Sequence, residues 1–88
     1  MVKKEVRIVN KLGLHARPAA LFVKTSAKFK SEVFIDKEGF EINAKSIMGV
    51  MLLAAEHGSK LILRCEGPDE EECINQLIKL IEDKFYEE

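Results

Sequence analysis

Apolar and polar residues alternate from Lys3 to Val9. Lys3, Glu5 and Arg7 fall on one side and Lys4, Val6 and Ile8 on the other. Lys4 apart, this predicts a strand with one buried face. The period then changes. Ala19, Phe22, Val23 and Ala27 recur at helical spacing, which predicts a helix from about Ala16 to about Lys28 with Phe22, Val23 and Ala27 facing the core. Ser31 to Asp36 alternates again, with Val33 and Ile35 on one face and Phe34 on the nominally outer one. Lys37-Glu38-Gly39 reads as a short hairpin turn, and Phe40 to Asn43 returns with Phe40 and Ile42 on one side. Ser46 is a good N-cap for a second helix of about two turns, in a segment that His57-Gly58 closes. Ile47, Met48, Val50, Met51 and Leu52 are too many apolar residues for a helix that hides one face, so some must stay exposed. Lys60 to Glu66 is the last strand, with Leu61, Leu63 and Cys65 on one face. Pro68 and Asp69 then start a helix whose positive end is crowded by Glu70, Glu71 and Glu72 and whose stripe is Ile74, Leu77, Ile78, Ile81 and Phe85.

The order is β-α-β-β-α-β-α. Each strand has one strongly apolar side, so the helices must all cover one face of a four-stranded sheet. That is an α+β open-faced sandwich, in a single domain spanning residues 1–88.

Composition narrows the function classes. Fourteen basic residues against fifteen acidic ones leave a net charge of −1, which is no footprint for nucleic acid. No apolar run approaches the ~20 residues of a membrane span. The N-terminal stretch Met1-Val2-Lys3-Lys4-Glu5-Val6 has no apolar signal core, so a cytoplasmic protein is expected. Cys65 and Cys73 are the only cysteines. Their spacing is no metal motif, and two reduced thiols at half-buried positions are expected, with no metal and no cofactor.

The chemistry concentrates in Gly13-Leu14-His15-Ala16-Arg17-Pro18-Ala19-Ala20. Gly13 permits a turn that other residues resist. Pro18 suits the first turn of a helix, where its missing N–H has no intrahelical partner anyway. His15 therefore stands at a helix start, beside N–H groups and a dipole end that favour an anion. Arg17 adds a permanent charge with a planar fork of donors suited to phosphate. A nucleophilic imidazole beside a prepared anion site is what a transferable phosphoryl group needs.

This constellation resembles the HPr family, the histidine-containing phosphocarriers of the bacterial phosphoenolpyruvate-dependent sugar phosphotransferase system. The family signature is a glycine, an aliphatic residue, His, a small residue, Arg, Pro and a small residue, and Gly13 to Ala19 match it throughout. Lys45-Ser46-Ile47-Met48-Gly49-Val50-Met51 resembles the regulatory serine segment of the Gram-positive type. The resemblance implies an antiparallel sheet with three helices on one side. It implies that His15 accepts phosphate on Nδ1 from phosphorylated enzyme I and hands it to enzyme IIA domains. In that reading Arg17 stabilises the phosphoryl group, Pro18 fixes the helix start, and the N–H groups of Ala16 and Arg17 are further donors. Leu12 departs from the small polar residue that family members often carry there, which removes one hydrogen bond near the histidine. Ser46 would be the target of an HPr kinase/phosphorylase, with catabolite repression and a catabolite-control transcription factor as the regulatory context. Ala20, Lys24, Ile47, Met48 and Met51 are the expected docking residues. A monomer is expected, because a carrier presents one site to many partners. The chain would be a protein substrate in a relay rather than an enzyme with its own turnover. A carrier serving only a nitrogen-related or regulatory branch, a purely regulatory binding protein, and a small hydrolase using His15 as base are the alternatives.

Overall fold

The computed structural model describes residues 1–86. Four strands, β1 (Val2–Arg7), β2 (Glu32–Lys37), β3 (Phe40–Asn43) and β4 (Lys60–Glu66), form one antiparallel sheet in the order β1-β4-β2-β3. Three helices, α1 (Ala16–Ser26), α2 (Ile47–Leu52) and α3 (Glu70–Glu82), pack over it, and a 3-10 turn (Lys84–Tyr86) follows. The one-sided alternation is realised: Val33, Ile35, Ile42, Leu61, Leu63 and Cys65 are buried while their neighbours along each strand are partly or fully exposed. Phe22 of α1 and Ile74, Leu77, Leu80 and Ile81 of α3 complete the core.

Several expectations are corrected. Strand β1 ends at Arg7, and Lys4 is exposed although it lies between the half-buried Val2 and Val6. Helix α1 stops at Ser26, so Ala27 is its exposed C-cap and does not face the core. Ser26 is buried in its place, its hydroxyl donating to Val23 O at 3.0 Å and Ala44 O at 2.9 Å. Val23 is half-buried. Phe40 is exposed at the start of β3, although Ile42 is in the core. Phe34 does lie on the outer face, but the Arg64 guanidinium covers it at 4.1 Å from the ring centroid. The hairpin needs only Glu38 and Gly39, at φ 53° and 87°, with Gly39 N donating to Asp36 Oδ1 at 2.9 Å. Helix α2 is not closed by Gly58: it ends at Leu52, Ala54 takes the left-handed conformation at φ 49°, and Gly58 serves the turn into β4.

Cys65 and Cys73 are fully buried rather than half-buried, and both are free thiols.

The start of α3 is tied down by side chains. Asp69 does not cap its own helix. Its carboxylate accepts instead from Lys30 N and Ser31 N, each at 2.9 Å, and from the Ser31 hydroxyl. Glu70 accepts from Gly67 N at 3.0 Å and pairs with the N-terminal ammonium at 2.8 Å. The Ser31 hydroxyl, then the Lys30 and Ser31 amides, hold the Asp69 carboxyl below its ordinary value of 3.8. A carboxyl lowered by folding stabilises the fold above its unfolded value and ceases to do so as pH falls through its folded value. Acid titration of thermal stability should therefore show a loss below pH ~3.9 that is smaller in Asp69→Asn. Identical acid limbs in the two proteins would contradict this assignment.

Candidate functional site

The loop between β1 and α1 is built from the sheet outward. Ile8 N donates to Ser59 O at 3.0 Å and Gly58 N donates to Ile8 O at 2.7 Å, which extends the β1–β4 pairing by one step. Asn10 then turns inward and is completely buried. Its Nδ2 donates to Gly13 O at 2.8 Å, and Gly13 N donates back to Asn10 O at 3.2 Å, closing a tight turn. Gly13 takes φ +69° and passes so close to Ala55 that a Cβ would lie 2.4 Å from the Ala55 carbonyl oxygen. Leu14 N donates to that carbonyl at 2.8 Å, and the Leu14 side chain is buried. The next residue, His15, has nowhere to go but the rim of the core.

His15 is the N-cap of α1, with an extended backbone (φ −82°, ψ −171°) and its carbonyl accepting from Ala19 N at 2.9 Å. Most N-cap residues spend a side-chain oxygen on the first free N–H groups. His15 makes no such bond, and the first turn holds no acidic residue. The positive end of α1 therefore gains no acidic side chain from its own first turn, and its dipole favours an anion beside the imidazole. Nε2 of His15 is enclosed by protein, while the residue as a whole is half-buried. Ala16 and Arg17 are exposed and Pro18 is buried, so the proline anchors the helix start while the arginine faces solvent. Arg17 enters no ion pair among the described residues.

Of the residues named from the sequence, His15, Ala16, Arg17 and Pro18 share this one turn. Ser46 does not. It caps α2, its Oγ accepting from Gly49 N at 3.2 Å, and it is exposed. The site loop is bonded to Ala55, beyond the other end of α2, and a six-residue helix spans ~9 Å. Ser46 and the anchor of the site loop on Ala55 therefore flank α2 at its two ends. The surface of α2 is apolar: Val50 is buried, whereas Met48 is 73% exposed and Ile47, Met51 and Leu52 are exposed as well. Leu12, at the tip of the site loop, is 75% exposed. Ala20 and Lys24 are exposed on α1. The anchoring contacts of Asn10, Leu14 and Ala55 were not read from the sequence, although Leu14 stands in the quoted motif. An asparagine three residues before the loop glycine was the available signal for the first.

The cap makes a separable prediction about Ser46. Ser46→Ala should lose about 1 kcal/mol of stability, because Gly49 N–H loses its acceptor. Ser46→Asp should remain within a few tenths of wild type, since aspartate is an equally good cap with a favourable charge at that end. Paired chemical denaturation curves check this, and equal losses in both variants would count against the cap.

A family model described as "PTS HPr component phosphorylation site" matches residues 2–83. The chain belongs to the HPr family. It is 48% identical over 88 residues to the phosphocarrier protein HPr of Treponema pallidum, covering 100% of both chains. It is 54% identical over 82 residues to the HPr-like protein Crh of Halalkalibacterium halodurans, covering 93% of this chain and 98% of that one. Among solved structures, a crystal structure of HPr from Thermoanaerobacter tengcongensis superposes with a TM-score of 0.97 at 52% identity, covering 100% of this chain and 99% of the other. An HPr dimer from the same organism superposes with a TM-score of 0.78, again at 52% identity, covering 97% and 98%. The antiparallel sheet and three helices are those of the family's solved structures, and the protein is an HPr phosphocarrier of the phosphotransferase system.

Proposed function

We propose that His15 is the residue that carries the phosphoryl group, receiving it from phosphorylated enzyme I and passing it to an enzyme IIA domain. The observation that supports this most is the histidine's place as the N-cap of α1, at the positive end of the helix and without a side-chain cap bond, with Arg17 two residues on. The enclosed Nε2 supports Nδ1 as the acceptor atom. In the forward step the Nδ1 lone pair attacks phosphorus. A new N–P bond forms as the bond between phosphorus and the donor's atom breaks, and the bonding pair returns to the donor. The amides of Ala16 and Arg17 and the Arg17 guanidinium hold the three phosphoryl oxygens throughout. The reverse of this step, on a different protein, delivers the group. The chain acts as a cytoplasmic protein substrate of its partners and needs no cofactor of its own.

Arg17 contributes charge-assisted hydrogen bonds in this reading. Arg17→Ala should slow transfer from enzyme I about 10- to 100-fold, with Arg17→Lys recovering part of the loss as a point charge without the fork. Stopped-time phosphorylation assays measure both, and a wild-type rate for Arg17→Ala would remove Arg17 from the site.

Ser46 is proposed as the target of an HPr kinase/phosphorylase. A phosphate there sits at a helix N-terminus, so the fold accommodates it. At the end of α2 away from the loop's anchor on Ala55, it acts through the apolar surface of Ile47, Met48 and Met51, which enzyme I and a catabolite-control transcription factor both meet. Ala20 and Lys24 extend that surface along α1. The likeness to Crh supports the regulatory branch. We take the monomer as the transferring form, because one exposed site must reach successive partners, although the Thermoanaerobacter relative is also found as a dimer.

The test is incubation with enzyme I, magnesium and phosphoenolpyruvate. Acid-labile phosphate mapped to His15 supports the relay. Absence of label with a competent enzyme I would end it and leave a regulatory binding protein.

A further inference from the structure

Two thiols meet at the centre of the molecule, away from any role described so far. Cys65 lies on β4, an interior strand, in register with Val2 on one side and Val33 on the other. Cys73 lies in the first half of α3. Both are fully buried, and the Cys65 thiol donates to the Cys73 sulfur at 3.7 Å. A disulfide has an S–S length near 2.05 Å, so the sulfurs need to close by ~1.7 Å. The two residues are only eight apart, joined by the turn at Gly67-Pro68-Asp69.

We propose that Cys65 and Cys73 form an oxidisable pair, closed to an intramolecular disulfide by hydrogen peroxide when the first turn of α3 opens. The Cys73 thiolate attacks one peroxide oxygen, the O–O bond breaks, and a sulfenic acid forms with loss of hydroxide. The Cys65 sulfur attacks the sulfenic sulfur and displaces hydroxide, making the S–S bond. The two thiol protons leave with the two hydroxides as two waters. The pair of cysteines is oxidised by two electrons and the peroxide is reduced by two.

The order of events comes from the packing. Cys65 is held on both sides by strand pairing, whereas Cys73 travels with the start of α3. While that turn is closed the pair is inert, for burial pushes the Cys65 thiol up to about 12 and raises the Cys73 thiol as well. The turn is held shut by the Asp69 carboxylate on Lys30 and Ser31 and by Glu70 on Gly67 and the N-terminal ammonium. Releasing the Asp69 clasp admits the oxidant. Once formed, the bond ties α3 to the interior strand that it packs against.

The folded protein is treated with hydrogen peroxide at low concentration, quenched, unfolded, alkylated with iodoacetamide and weighed. The expected product is monomeric, takes up no alkyl group, is lighter by two hydrogens, and yields one peptide pair linked through Cys65 and Cys73. Dithiothreitol returns it to a doubly alkylated species. Asp69→Asn should react several-fold faster, and neither Cys65→Ala nor Cys73→Ala should give the cross-link. The urea-unfolded chain serves as the control for oxidant strength. Two alkylated cysteines under conditions that oxidise the unfolded chain would overturn the proposal. So would sulfinic acid at either cysteine, disulfide-linked dimers, or an Asp69→Asn rate equal to wild type. The peptide map is made on the unmodified sequence, so the conclusion does not depend on either alanine variant folding.

Discussion

Replacing His15 with alanine should abolish the acid-labile phosphate completely while leaving the fold standing. Both halves of that outcome come from the same geometry. An alanine offers no lone pair to phosphorus, and the neighbouring groups are donors rather than nucleophiles: backbone amides and a permanently charged guanidinium. Transfer should therefore fall below detection rather than by a modest factor. Stability should fall by no more than about 2 kcal/mol, the ordinary cost of truncating one half-buried side chain at a helix end. His57 is the only other histidine, exposed in the turn before Gly58, and it provides an internal control. Label that survives in His15→Ala and maps to His57 would transfer the role to that residue. A variant that loses label and also unfolds would mean that His15 is structural, and the phosphorylation assay alone would then be uninformative. Denaturation and phosphorylation are measured on one preparation for that reason.

The parts of the molecule legible in the sequence are those set by neighbours within a turn or two. Leu61, Leu63 and Cys65 alternate so cleanly that β4 has the range read from the sequence, and Ser46 caps α2 because capping involves only the next three residues. Gly13, His15, Arg17 and Pro18 were legible for the same reason, since one loop and one helix start hold them all. What escaped depends on distant chain. Ser26 is buried because Ala44 O, eighteen residues on, accepts its hydroxyl. Phe34 is covered by Arg64 from the neighbouring strand, its partner in register. Ala27 fits the helical spacing but lies one residue past the end of α1, where periodicity no longer applies. The contact of Cys65 with Cys73 and the anchoring of Leu14 on Ala55 are likewise properties of the folded chain.

That last contact sets the second large effect. Gly13→Ala should destabilise the protein by about 3 kcal/mol and should cost most of its phosphotransfer activity. The left-handed conformation alone costs a residue with a Cβ ~1–2 kcal/mol. At Gly13 the Cβ would also fall 2.4 Å from Ala55 O and 2.9 Å from Glu56 Cα, both backbone atoms that no rotamer change can move aside. The loop must lift away, and the bond from Leu14 N to Ala55 O lifts with it. His15 then no longer arrives at the start of α1 in the extended conformation of an N-cap. Gly39 separates the two contributions. Its φ of +87° is in the same region, but nothing lies within 4 Å of its absent Cβ. Gly39→Ala should therefore pay only the conformational cost, offset in part by the reduced entropy of the unfolded chain, and lose about 1 kcal/mol with no change in transfer. Denaturation curves and phosphorylation rates for the two variants distinguish the cases. Equal losses of stability would mean that the approach of Gly13 to Ala55 contributes nothing. A destabilised Gly13→Ala that still transfers at the wild-type rate would show that His15 is positioned by α1 and not by the loop that leads to it.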